Sequence, residues 1–313
     1  MRFTALAAMA LFCMTFASAQ ANPAPAQPAS PGTTPQTQTG AAAPPSNAPT
    51  GAATGNHRVL QAKSQDELKA YQDAAAKTDP AQAEAAADNF AAKYPTSELR
   101  ASLYMRVMNM FAQANNSEKV VAVGRQAIAA DPTNPVPLVQ VASALAETTR
   151  DTDLDREQRL AEAAKDAQAA IDNIDTGLLV PPNADPARVE GAKHSIITMA
   201  YDTLGMVDMD RNDYAAAVTN LQKAINESSA NPEGVLYLRL SVAQDKLQQY
   251  PQALDSANKA VQYSQLGTAA MSLAKQQQER LQKLISAGSP ATKPPVPAPG
   301  SAAPANPVPT TPH

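Results

Sequence analysis

Asp151, Asp153, Asp155 and Glu162 stand at positions 1, 3, 5 and 12 of a stretch that could wrap a calcium ion, because a hard cation takes carboxylate oxygens at that spacing. Two other residues argue against it. Arg156 stands where such a loop needs glycine for its sharp turn, and Arg159 brings positive charge to the ninth position. A helix predicted to start before Glu162 also withdraws that carboxylate. The favoured reading is an acidic loop and first turn complementing a helix N-terminus. Met105, Met108 and Met110, with Met199, Met206 and Met209, offer thioether sulfur that could hold copper, but helical packing is the simpler reading of the same spacing. His57, His194 and His313 have no His or Cys neighbour at ligand spacing, and His194 is expected at the surface. No GxSxG, HExxH or phosphate-cradling Gly-Lys-Ser/Thr motif is present. Carboxylates are plentiful enough for a glycosidase pair by residue type alone, yet no nucleophile, acid and base can be read together. The expectation is a protein that is not an enzyme, with no metal and no cofactor.

The charge pattern narrows the partners. The chain has 313 residues with 25 Lys+Arg against 29 Asp+Glu, and all the acids and all but Arg2 and Lys293 of the bases lie between residues 57 and 287. That middle stretch therefore carries a net −6, which excludes nucleic-acid binding through a basic face. Arg2, the apolar run Ala5 to Phe16 and the small residues Ala17-Ser18-Ala19 read as a secretory signal over 1–19, too short for a membrane span. The only cysteine, Cys13, falls inside it and lacks the flanking residues of a lipoprotein site. The mature chain would hold no thiol, so disulfides, thiolate metal sites and cysteine catalysis are all excluded. An exported protein, periplasmic or secreted, is expected, with no integral membrane segment after cleavage.

The chain has 27 prolines, and most of them flank the middle stretch. Residues 20–56 and 288–313 are rich in Pro, Ala and Thr, with Lys293 their one charged side chain, so they cannot bury enough surface to offset ordering. They are expected to be disordered spacers with polyproline II character, open to Ser/Thr glycosylation or docking in a Pro-binding groove.

Residues 57–287 alternate amphipathic helical segments with short breaks, and eleven helices are predicted, from Ser64–Lys77 to Thr268–Ser286. Asp79 before Pro80, Asn134 before Pro135 and Asn231 before Pro232 read as helix starts. A fixed period then emerges. Tyr201, Leu204 and Gly205, followed by Asn212-Asp213-Tyr214, Ala217, Leu221 and Ala224, recur 36 residues on as Tyr237, Leu240 and Ser241, then Gln249-Tyr250-Pro251, Ala253, Ala257 and Ala260. A looser copy holds Tyr104, Met108, Gly124, Ala127 and Asp131-Pro132. This pattern resembles the tetratricopeptide repeat (TPR). The resemblance implies an all-α TPR-like superhelical solenoid of about five hairpins plus a C-terminal capping helix, flanked by the two tails. It also implies that Tyr104, Ala127, Tyr201, Leu204, Gly205, Ala217, Ala224, Tyr237, Leu240, Ala253 and Ala260 pack repeat against repeat. Spacings of 43 and 54 residues between Ala127, Ala170 and Ala224 exceed the period, and the excess is expected in loops at Glu147–Gln158 and Asp175–Asn183.

Carried onto this chain, the family's groove positions on the first helix of each hairpin give Met105, Asn109, Met199, Asp202, Met206, Leu238, Val242 and Asp245 as candidate binding residues. Lys246 is the one base among the carried positions, so a clamp for an acidic C-terminus is not implied. The resemblance points to a protein-interaction scaffold or adaptor of the bacterial envelope that takes a peptide or protein segment. The alternative is a structural or cell-wall-associated protein held by its Pro-rich tails.

Overall fold

The computed structural model describes residues 60–181, 183–228 and 233–288. The expected signal, the Pro-rich linker, all but Gly288 of the C-terminal tail, and the Asn231-Pro232 cap lie outside the described residues.

Twelve helices follow one another among those residues: α1 (Gln65–Ala75), α2 (Pro80–Lys93), α3 (Leu99–Gln113), α4 (Ser117–Ala130), α5 (Pro135–Thr148), α6 (Arg156–Asp172), α7 (Ile174–Gly177), α8 (Pro186–Asp210), α9 (Tyr214–Glu227), α10 (Gly234–Lys246), α11 (Tyr250–Tyr263) and α12 (Ala269–Ser286). Their starts follow from local chemistry. Asp79, Asn116, Asn134, Asp185, Asp213 and Thr268 each accept a backbone N–H of the first turn through their side chain, and Pro80, Pro135 and Pro186 open the helices that follow their caps. At α1 the Ser64 hydroxyl takes the Glu67 N–H at 3.1 Å, while the buried Glu67 carboxylate returns to take the Lys63 N–H at 2.6 Å, a reciprocal cap shifted by one residue.

Three of the first helices end alike. Asn115, Asn212 and Gln248 adopt left-handed φ of 55°, 62° and 58°, and the N–H after each reaches back to the carbonyl five residues earlier, at 3.0, 2.8 and 2.9 Å. This closure uses carbonyls that a helix end leaves unpaired and turns the chain sharply into the second helix of the hairpin.

The helices pack as antiparallel pairs, α1 with α2, α3 with α4, α5 with α6, α8 with α9 and α10 with α11, and α12 lies against both α10 and α11. We call the first member of each pair A and the second B. Each A helix also touches the preceding B helix, as α5 touches α4 and α10 touches α9. Small residues make this approach possible: Ala127, Ala170, Ala217, Ala224, Ala253 and Ala260 are wholly buried. A Cβ on Gly205 would lie 2.7 Å from Leu221 Cγ, and one on Gly124 would lie 2.3 Å from Val141 Cγ2. The architecture is thus an all-helical, TPR-like solenoid of five hairpins and a closing helix. Its largest apolar cluster runs from Ala74 through Phe90, Tyr104, Met108 and Leu145 to Val207, with smaller clusters following toward α12.

One detail differs from expectation. A short extra helix, α7, occupies part of the second predicted loop, and its Gly177 sits so close to the Thr133 carbonyl that a Cβ would fall 1.8 Å from it. The helix containing Tyr201 is 25 residues long, as its predicted span 185–209 requires, and the extra turns at its start absorb part of the long repeat spacing. On α12 the inward face is Met271, Ala274, Gln277 and Leu281, while Ile285 is 39% exposed.

Candidate functional site

The candidate residues lie on three of the A helices, two or three on each. Met105 and Asn109 stand on α3, Met199, Asp202 and Met206 on α8, and Leu238, Val242 and Asp245 on α10, and all eight are half-buried. The thioethers lean inward: Met105 and Met206 against the largest cluster, Met199 against the next. Met105 Sδ also accepts a hydrogen bond from Asn134 Nδ2 at 3.2 Å, tying α3 to the cap of α5. Met108 is fully buried. Met105, Met108, Met110 and Met206 pack in the largest cluster, Met199 in a second and Met209 in a third, which is the packing reading of their spacing.

The two acids are not free ligands. Asp202 is ion-paired with Arg239 of α10, both side chains being about one-sixth exposed, and Asp245 is paired with Arg280 of α12. Gln277 Nε2 adds a longer contact to Asp245 at 3.4 Å. What the sequence offers as acidic groove residues the structure uses as bridges to the following A helix. The partners went unread because the arginines occupy different repeat positions from the acids. A signal was nonetheless present: these pairs are separated by 37 and 35 residues, close to the repeat period.

Beside this bridge, Glu147 of α5 makes one weak contact, from Ser143 Oγ at 3.4 Å. Burial among its neighbours pushes its carboxyl above the usual range, and the nearby Asp202 adds to this while Arg239 opposes it. Glu147 is nevertheless exposed to solvent. Asp202 Oδ1 is buried without a hydrogen-bond partner among the described residues. Two carboxylates therefore face one guanidinium across α5, α8 and α10.

The B helices carry bridges of the same kind. Lys119 on α4 holds Glu84 on α2 through both oxygens at 2.8 Å, 35 residues apart, and Arg125 on α4 grips Glu162 on α6 at 2.7 and 2.6 Å, 37 residues apart. This removes Glu162 from the acidic stretch considered above. Asp151 pairs with Arg156, and Asp153 Oδ2 accepts the Arg150 N–H at 2.7 Å. The acids thus point to separate partners, and among the described residues no group of His, Cys, Asp and Glu could hold a metal ion. Arg156 also donates to the Asp210 carbonyl, and Arg211 reaches Glu157 at 2.9 Å, so this stretch works as a clamp on the end of α8. His194 is exposed as expected, with Nδ1 2.9 Å from Glu227 of α9.

No family model matches the chain, and no curated protein is significantly similar to it in sequence. Among solved structures it is similar to the crystal structure of MamA protein, at 14% identity over 59% of this chain and 88% of the other, with a TM-score of 0.38. An assembly chaperone of RpL4 (Acl4) aligns at 10% identity over 72% and 99%, TM-score 0.37. The P58(IPK) TPR domain aligns at 15% identity over 71% and 66%, TM-score 0.25.

Proposed function

We propose that this chain is a non-enzymatic protein-interaction scaffold, exported to the bacterial envelope, that takes a segment of a partner protein along the A-helix face. The observation that carries the reading is the set of half-exposed apolar side chains Met105, Met199, Met206, Leu238 and Val242 on the A helices α3, α8 and α10. Methionine and branched aliphatic side chains at partial exposure suit an apolar segment whose exact shape varies. The inter-repeat ion pairs at Asp202 and Asp245 support the same reading, because they neutralise the charge that would otherwise repel such a segment. The signal-like residues 1–19 support export.

The test is photocrosslinking in intact cells from probes replacing Asn109 and Val242, compared with a probe replacing Ala122, which is exposed on α4. A discrete protein captured from the first two positions and not from the third is expected. Equal labelling from all three would overturn the reading.

A further inference from the structure

Neighbouring B helices in this solenoid leave a groove between them, floored by the A helix beneath. The grooves between α2 and α4 and between α4 and α6 are bridged by the pairs Glu84–Lys119 and Arg125–Glu162. The groove between α9 and α11 has no such bridge among the described residues, and an open trough of about 500 Å³ lies there. Its floor is Tyr237, Leu240 and Gln244 of α10, and its walls carry Gln222 of α9 and Gln252 and Asp255 of α11. Lys259 pairs with Asp255 at 2.8 Å and stands over the Tyr237 ring, which is itself stacked on Tyr263 at 5.4 Å. The trough is therefore aromatic and amide-lined and nearly neutral. Gln244 Oε1 is occupied by the Ser256 hydroxyl at 2.7 Å, which leaves its amide N–H groups to donate.

Aromatic floors with side-chain N–H donors suit polyproline II segments, whose rings stack on the aromatic faces and whose backbone carbonyls have no internal partner. The chain carries such a segment: Pro294-Pro295-Val296-Pro297-Ala298-Pro299, preceded by Lys293. Where the described chain ends is decisive. A short connection joins α11 to α12, and Leu281 packs among Ala253 and Ala257, so α12 runs back antiparallel to α11. It delivers Gly288 toward the Tyr250 end of α11, the end at which Pro251 and Gln252 line the trough. Five residues separate Gly288 from Lys293, a span of ~16 Å when extended at the polyproline rise of ~3.1 Å per residue, and the six-residue segment itself covers ~19 Å. A tether this short supplies an effective concentration of order millimolar, so even a weak contact forms. We infer that the trough between α9 and α11 is the docking site of this chain's own segment 293–299, with Lys293 beside Asp255. The inference concerns the B-helix side and stands apart from the proposed partner face.

The experiment uses the full chain with its one cysteine replaced, Cys13→Ser, and two introduced cysteines. One version pairs Thr292→Cys with Gln252→Cys on the trough wall, one helical turn from Asp255; the other pairs Thr292→Cys with Gln282→Cys on the exposed face of α12, also within tether reach of Gly288. All three positions are solvent-facing or in the tail, so the fold is kept. The trough pair is expected to form its intramolecular disulfide at least tenfold faster than the other, at a rate independent of protein concentration. Changing Pro294, Pro295, Pro297 and Pro299 to Ala should bring the two rates together. Equal rates before that change, or a disulfide that appears only between two molecules, would overturn the inference.

Discussion

Removing Arg239 would leave Asp202 with neither carboxylate oxygen paired, where only 16% of its side chain reaches solvent. Removing both partners should cost less than the two single losses together. A double-mutant cycle of Asp202→Asn and Arg239→Gln, read by urea unfolding, is expected to give a coupling of about 1 kcal/mol, above an exposed pair and below a fully buried one. Asp166 on α6 gives a pH test. Burial, reinforced by Glu162, pushes its carboxyl up to about 6, while Lys165 and Arg125 oppose the shift. Its folded state thus holds the proton more tightly than the unfolded chain, where an aspartate titrates near about 3.9. The stability gained from that proton is complete below the unfolded value and lost as pH rises through about 6. Asp166→Asn keeps the neutral form at every pH. Its stability relative to the parent should rise between pH 4 and pH 7 by about 1 kcal/mol, since solvent reaches part of the carboxyl. An unchanged difference across that range would show that Asp166 titrates normally.

At the scale of the helices, the hairpin turns separate what local chemistry specifies from what packing specifies. Gln248 occupies a left-handed position that Asn fills at 115 and 212, a conformation in which a Cβ is strained and glycine is not. Gln248→Gly should raise the thermal midpoint, by about 0.5–1 kcal/mol in stability, with α10 and α11 unchanged. Gly205 is constrained by closeness, not by φ. A valine there would drive Cβ into Leu221, 2.7 Å away, and Gly205→Val is expected to destabilise by about 1–3 kcal/mol in urea unfolding. Both sites show how the helices were legible. Caps such as Asp79 and Asn134 act within a few residues, and the Leu-Gly and Ala spacing marks the faces that touch. What stayed unread on the helices was α7. Ile174–Gly177 follows α6 almost directly, and Gly177 is fixed by the distant Thr133 carbonyl, a contact that periodicity along the chain cannot report.

Over the whole molecule, stability is a sum of neighbour interactions, because each hairpin touches mainly the next. Leu281 is fully buried against α11, in a small cluster far along the chain from the large one around Val107 and Leu145. Leu281→Ala should cost about 2–4 kcal/mol locally. Hydrogen exchange should then quicken in α10, α11 and α12 while α2 to α5 keep their protection, whereas uniform acceleration would mark a single cooperative unit. By itself the sequence determined the helical class, the repeat and its small packing residues, because these depend on side chains a few positions apart and on a period that copies itself. It also marked the apolar residues of the A-helix face. Tertiary structure alone decided what Asp202, Asp245 and Glu162 do. Each acid meets an arginine from the neighbouring repeat, and such a meeting depends on how one hairpin is rotated and shifted on the next, which no single repeat contains.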